Sequence, residues 1–200
     1  MAQARILTDR EFRKVLLYIA ARKHAIRNKC ILYMSHLAGL RVGEISSLSI
    51  RDVLADDGSI KDEIFLKAEQ TKGSRGRTVL LPVKLQSELH EYLCARFRLK
   101  ELAVVHYTDT SRALFYTQKS QIRGFSPNTL AGWFGGLYRK VGIEGASSHS
   151  GRRHFATYLN ENSVSPKVIQ TLLGHRQIQT TMLYCQVSPK SLRSAVEMLS

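Results

Sequence analysis

Acidic residues are scarce in this 200-residue chain: 16 Asp and Glu stand against 30 Lys and Arg, leaving a formal net charge of +14. The isoelectric point lies near 10.0. An excess of this size, spread from Arg5 to Arg193, points to a polyanionic partner, with nucleic acid ahead of a membrane surface. The shortage of carboxylates also speaks against a two-metal nuclease, which needs several acidic ligands. Cysteine is sparse as well. Cys30, Cys94 and Cys185 are odd in number, widely spaced and never in a C-x-x-C pair, so neither a disulfide framework nor a zinc knuckle is indicated and reduced thiols are expected. No apolar run approaches the roughly 18 to 20 residues that a membrane span requires, and the opening MAQARILTDREF has no signal-peptide core. A soluble, intracellular, cytoplasmic protein is expected. Internal repeats, low-complexity stretches and linkers are missing too, and 44% hydrophobic content suffices for one well-cored domain.

What is present is mostly helical patterning. Thr8 and Glu11 make a capping box ahead of Phe12, Val15, Leu16 and Ile19, which predicts a helix from about Asp9 to Arg22. A second helix is expected from Ile26 to Ala38, ended by Gly39, after which RVGEISSL resumes helical spacing and puts Arg41 at a helix-helix junction. From Ile50 to Pro82 the character changes. IRDVL, EIFLK and RTVLL are β-prone, and the last follows the Gly-rich turn TKGSRG, so one small antiparallel sheet is expected. Lys84 to Leu102 reads as amphipathic helix, SRALFYTQKSQIRG as loop with one short strand, and Ser126 before Pro127 as the cap of a helix reaching Val141. The last third reads as three or four short helices broken at Ser163 to Ser165, at Gly174 and at Ser188-Pro189. The fold class expected is α+β, mainly α, with a small antiparallel sheet.

The chemistry-bearing residues fall in separate segments. In SSHSGRRHFATYL, His149 and Arg152 lie three residues apart on the first turn of a helix and can face one ligand. In VIQTLLGHRQIQTTMLYCQV, His175 follows Arg152 by 23 residues and Tyr184 follows His175 by 9. Upstream, HLAGLRVGEISSL carries Arg41 and Glu44. A metal site is not expected here, because His149 and His154, five apart, do not share a helical face and no cysteine or carboxylate completes a tetrahedral set.

Together these segments resemble the tyrosine recombinase (phage integrase) family, whose signature is an early Arg in L-R-x-x-E, a Lys on a β-hairpin, H-x-x-R, then L-G-H and a nucleophilic Tyr. The resemblance covers most of the chain in the right order. It departs from the common pattern after Arg152, where Arg153 and His154 stand instead of His followed by Ser or Thr. It implies a helical catalytic domain in which Arg41 and Arg152 bind phosphate, Lys72 is the hairpin lysine with Lys67 as the competing assignment, His149 and His175 are the two histidines and Tyr184 is the nucleophile. Glu44 is expected to orient Arg41. Arg75, Arg77, Arg153 and Arg176 are candidate DNA contacts.

The reaction needs these residue types. A phosphodiester under attack passes through a pentacoordinate centre with added negative charge, which two guanidinium forks can clamp. A free Tyr is ionised in only about one molecule in a thousand at pH 7, so it needs those cations or a base such as His149. A departing 5′ oxygen needs a proton, which a lysine of lowered pKa supplies. The 3′-phosphotyrosine conserves the diester, so neither ATP nor metal is required and no cofactor is expected. The expected activity is site-specific recombination or integration, acting on double-stranded DNA at a specific recombination site. A tetramer on DNA is the expected assembly, helped by a tail, Ser188 to Ser200, suited to docking on a neighbouring subunit. The expected location is on the nucleoid. Two other readings share parts of the pattern: a type IB topoisomerase, with the same cleavage chemistry, and a non-catalytic DNA-binding accessory. Residues 1–200 are expected to form a single catalytic domain, since too few residues precede Arg41's helix to build the family's N-terminal core-binding domain.

Overall fold

The computed structural model describes residues 4–71, 75–97, 111–118 and 120–185, with 192, 193, 196 and 197. In chain order its elements are α1 (Asp9–Ala20), α2 (Ala25–Leu37), α3 (Val42–Ser47), α4 (Ile50–Val53), β1 (Glu63–Leu66), a 3-10 turn (Ala68–Gln70), β2 (Arg77–Leu80) and α5 (Val83–Arg96). There follow β3 (Tyr116–Thr117), β4 (Ser120–Gly124), α6 (Pro127–Lys140), α7 (Ser150–Glu161), α8 (Pro166–Leu173) and α9 (Ile178–Met182).

Local chemistry sets most of these boundaries. The Thr8 hydroxyl accepts from the Glu11 amide at 3.3 Å and the Glu11 carboxylate accepts from the Thr8 amide at 2.9 Å, so two orphan N–H groups of α1 are satisfied. The Ser126 hydroxyl accepts from the Thr129 amide at 3.1 Å while Pro127, which has no amide to satisfy, occupies the first turn of α6. Ser165 and Pro166 repeat the arrangement at α8.

The central element is α2, whose Cys30, Ile31, Leu32 and Met34 are fully buried; α5 and α7 pack on it and α1 flanks it. The main core runs from Leu7 and Val15 through α2, Ile64 and Leu66 of β1, Leu85 and Leu89 of α5, to Phe134 and Tyr138 of α6. A second, smaller core joins Ala156, Ile169, Leu173 and Cys185, with Phe155, Leu159, Val164 and Tyr184 packed around it. Gly39 turns the chain between α2 and α3 at φ +63°, where an added Cβ would sit 2.8 Å from Phe155 of α7. The α2–α7 approach therefore requires glycine at this turn.

The fold is mainly α with antiparallel β, as expected, but two segments differ from their sequence reading. IRDVL is one turn of helix, α4, not a strand: the Asp52 carboxylate accepts from both the Ser49 amide (2.7 Å) and hydroxyl (2.8 Å), closing the turn. The antiparallel pairing is split between two hairpins, since β1 pairs with β2 from Glu63↔Leu80 to Leu66↔Arg77, and β3 pairs with β4 across a bulge at Tyr116/Thr117. The end of the predicted Lys84 to Leu102 helix lies partly outside the described residues, as do Lys72 and most of Ser188 to Ser200. Among the described residues no helix is long and apolar enough to cross a membrane.

Candidate active site

Glu44 organises the site. It lies in the first turn of α3, is 1% exposed, and gathers Arg41 from its own turn with Arg77 and Arg152 from distant parts of the chain. Its carboxylate accepts from the Arg41 amide at 2.7 Å and from Arg41 Nη1 at 3.0 Å. On its other side it accepts from Arg77 Nη2 at 2.9 Å and Arg77 Nε at 3.4 Å. Arg152 Nη1 stands 4.0 Å away. Burial alone would raise the Glu44 pKa, but Arg77, then Arg152 and the Arg41 amide, hold it below the usual carboxylate range, so the group is ionised at neutral pH.

The arginines are anchored by carbonyls that helices leave unpaired at their C-terminal ends. Arg152, buried in α7, donates from Nη1 to the Gly39 carbonyl beyond α2 at 2.6 Å and from Nη2 to the Leu173 carbonyl of α8 at 2.5 Å. Arg77 Nη1 donates to the Leu172 carbonyl at 2.7 Å. Burial, then Arg41, presses the Arg152 pKa down to about 9, with Glu44 acting in the opposite sense. Its guanidinium remains charged at neutral pH. Gly174 ends α8 at φ +62°, and a Cβ there would collide with Arg77 Cδ, so the glycine of L-G-H serves both the left-handed turn and the passage of that arginine.

His175 follows immediately. Its Nδ1 lies 2.9 Å from the hydroxyl of the fully buried Thr181, and its ring stacks with Tyr184 at a centroid distance of 5.8 Å and an interplanar angle of 30°. Burial, then the charges of Arg152, Arg41 and Arg77, lower the His175 pKa to about 4, so the imidazole is neutral at pH 7. Tyr184 sits on the small second core, half-buried, with the Arg153 guanidinium 5.9 Å from its ring centroid.

Arg41, Glu44, Arg77 and His175 line an open cleft of about 610 Å³, with Arg75, Arg176 and Thr180 on its rim. An adjoining hollow of about 630 Å³ shares Arg41, Glu44 and Thr71 and adds His149, which is exposed at the N-cap of α7. Thr71 and Arg75, on either side of residues 72–74, are tied together: the Thr71 hydroxyl donates to the Arg75 carbonyl at 2.7 Å and accepts from the Arg75 amide at 3.2 Å. Lys72 itself is outside the described residues, while Lys67 is exposed at the start of the 3-10 turn. The four arginines that line the open cleft against the one carboxylate of Glu44 suit it to an oxyanion such as a phosphodiester. Among the described residues no three His, Cys, Asp or Glu side chains converge as metal ligands.

Of the four arginines read as DNA contacts, Arg75 and Arg176 are exposed on the cleft. Arg77 is turned inward to Glu44 and Leu172, and Arg153 donates to the Ala4 carbonyl at 2.5 Å. Sequence reasoning missed Thr181 and the carbonyls of Gly39, Leu172 and Leu173. Backbone acceptors leave no sequence signal beyond the helix end itself, whereas Thr181 could have been noticed as a threonine six residues beyond His175 on a short helix.

A profile described as the phage integrase family matches residues 5–191. The tyrosine recombinase XerA of Pyrococcus furiosus is 33% identical over 192 residues, which are 96% of this chain and 60% of that protein. The crystal structure of XerA recombinase superposes with a TM-score of 0.73 at 24% identity, covering 99% of this chain and 66% of that one. The structure of the Tn1549 transposon integrase in complex with transposon right end DNA gives 0.72 at 18% identity, covering 100% and 67%. The chain thus spans about 60% of the length of the XerA relative it matches.

Proposed function

The chain belongs to the phage integrase family, and on that premise we propose that it cleaves and rejoins double-stranded DNA at a specific recombination site, with Tyr184 as nucleophile. The observation that carries this reading is the convergence of Arg41, Arg152 and the neutral His175 around the buried Glu44, with Tyr184 stacked on His175. Arg41 and Arg152 clamp the non-bridging oxygens of the scissile phosphate, and their charge is worth most in the transition state, where the phosphorus becomes pentacoordinate. The Tyr184 oxygen bonds to phosphorus as its proton passes to His149, the bond from phosphorus to the 5′ oxygen breaks, and Lys72 protonates that oxygen. A 3′-phosphotyrosine results, and attack by a second 5′-hydroxyl reverses each step on a new partner strand. Metal, nucleotide and other cofactors have no part in this balance.

Arg75 and Arg176, exposed on the cleft, suit contacts to flanking phosphates. The inward bonds of Arg77 favour a positioning role for it, and Arg153 is divided between Ala4 and the Tyr184 ring. Assembly as a tetramer on nucleoid DNA in the cytoplasm follows from the same reading, since two duplexes must each be cut on both strands.

The test is a nicked suicide duplex carrying a recombination site from the flanks of the gene. Wild type is expected to accumulate a covalent protein–DNA adduct, sequence-dependent in yield, and Tyr184→Phe to form none while binding DNA equally. Adduct from the Phe variant would put the nucleophile elsewhere; sequence-independent adduct would favour a topoisomerase. Replacing the 5′ leaving oxygen by sulfur removes the need for a proton, so it should rescue Lys72→Ala. Rescue of Lys67→Ala instead would move the general acid there.

A further inference from the structure

We infer that Thr181 is a positioning residue that fixes the tautomer of His175, holding its proton on Nε2 so that the ring can donate to the scissile phosphate. The consequence for catalysis rests on the recombinase reading above; the hydrogen-bond assignment does not.

The argument is one of proton accounting in a buried place. The Thr181 hydroxyl and His175 Nδ1 are 2.9 Å apart, so one of them donates. Helical threonines commonly spend the hydroxyl proton on the carbonyl one turn back. Thr171 in α8 does so, donating to Lys167 at 3.0 Å. Thr181 makes no such bond among the described residues, and the only hydrogen-bond partner of its hydroxyl there is His175. If Nδ1 carried the proton, the threonine oxygen would accept it and its own hydrogen would be left without an acceptor in a fully buried position. Leaving a buried donor unmade costs more than a typical hydrogen bond returns. The arrangement that satisfies both groups has Thr181 donating to an unprotonated Nδ1. A neutral imidazole then carries its hydrogen on Nε2.

The surroundings keep the ring neutral. Burial and the three arginines around Glu44 oppose a second proton on His175. A donating Thr181 opposes it further, because imidazolium has no lone pair at Nδ1 to receive the hydroxyl. His175 therefore enters the reaction as a neutral donor beside two guanidinium groups, and the threonine sets which edge of the ring donates. Valine is nearly isosteric with threonine and removes only this hydrogen bond.

The test reads isotope-labelled imidazole nitrogens in the full chain. Of the seven histidines, the signal of His175 is the one missing from a His175→Gln variant. Wild type is expected to show unprotonated Nδ1 and protonated Nε2. Thr181→Val should shift the tautomer ratio about tenfold toward Nδ1–H, the equivalent of one buried hydrogen bond, and slow adduct formation on the suicide duplex by a similar factor. Thr181→Ser should restore both. A proton on Nδ1 in wild type, or an unchanged ratio in the valine variant, overturns the inference; the wild-type spectrum decides the matter even if the valine variant does not fold. Wild type with the expected tautomer but no adduct would sink the recombinase reading and leave the assignment of the hydrogen bond intact.

Discussion

A carboxylate as enclosed as Glu44 stays charged because two guanidinium groups hydrogen-bond to it and a third stands within 4.0 Å. Removing one partner of a buried pair strands the other. Arg77→Ala should therefore cost about 3 kcal/mol of stability, read as a lower urea midpoint. Arg77→Lys should recover less than half, since an ammonium reaches Glu44 or the Leu172 carbonyl but does not fork to both. His36 makes a different prediction. It is wholly buried, with Nδ1 3.0 Å from the Leu32 carbonyl and Nε2 unpartnered among the described residues, and burial drives its pKa from 6.5 to about 3. As pH falls below 6.5 the unfolded chain takes up a proton that native His36 refuses, so stability is full above 6.5 and declines toward pH 3. Urea unfolding across this range should show a steep decline for wild type and a shallower one for His36→Leu. At this scale the sequence revealed Arg41 with Glu44, because residues three apart at a helix turn are neighbours. The bond from Arg77 to Glu44 spans 33 residues and depends on where β2 docks, which no local pattern encodes.

Elements end where their chemistry ends, and Gly174 shows this most sharply. An L-residue at φ +62° pays about 1 to 2 kcal/mol, and a methyl there must also displace Arg77. Gly174→Ala should lower the melting temperature and slow adduct formation together. Gly132→Ala on the exposed face of α6, where an added Cβ meets nothing within 4 Å, should instead gain about 0.5 to 1 kcal/mol. Calorimetry of the two variants separates a glycine required by a contact from one that is merely tolerated. Capping residues made α1 and α6 readable in advance. In IRDVL the β-branched residues outweighed Ser49 and Asp52, the pair that closes α4 into a helical turn. Only one short strand was expected where the β3–β4 hairpin stands, because the two residues of β3 and a bulge carry too little alternation to register.

For the molecule as a whole, the formal charge of +14 ties the proposed DNA affinity to the ionic medium. Each phosphate neutralised releases its condensed counterions, so affinity should fall by about 10³ or more between 50 and 200 mM salt if six or more phosphates are contacted. A flat response in a filter-binding titration would remove the nucleic-acid reading. Composition alone raised the nucleic-acid reading; the way the charge is focused by Glu44 and two helix ends was not legible, since it arises only when distant segments meet.

The two cores have unequal reserves. Arg41 and Glu44 follow directly from α2, whose side chains fill the large core, whereas Tyr184 rests on Ala156, Ile169, Leu173 and Cys185. Local opening free energy scales with the apolar surface an opening must expose, so the amides of Tyr184 and Cys185 should exchange with solvent well before those of Ile31 and Leu32. Arg41 and Tyr184 thus belong to separate tiers of a stability hierarchy. On the recombinase reading proposed above, the Tyr184 hydroxyl can be withdrawn or presented at small thermodynamic expense while Arg41 and Glu44 stay in place.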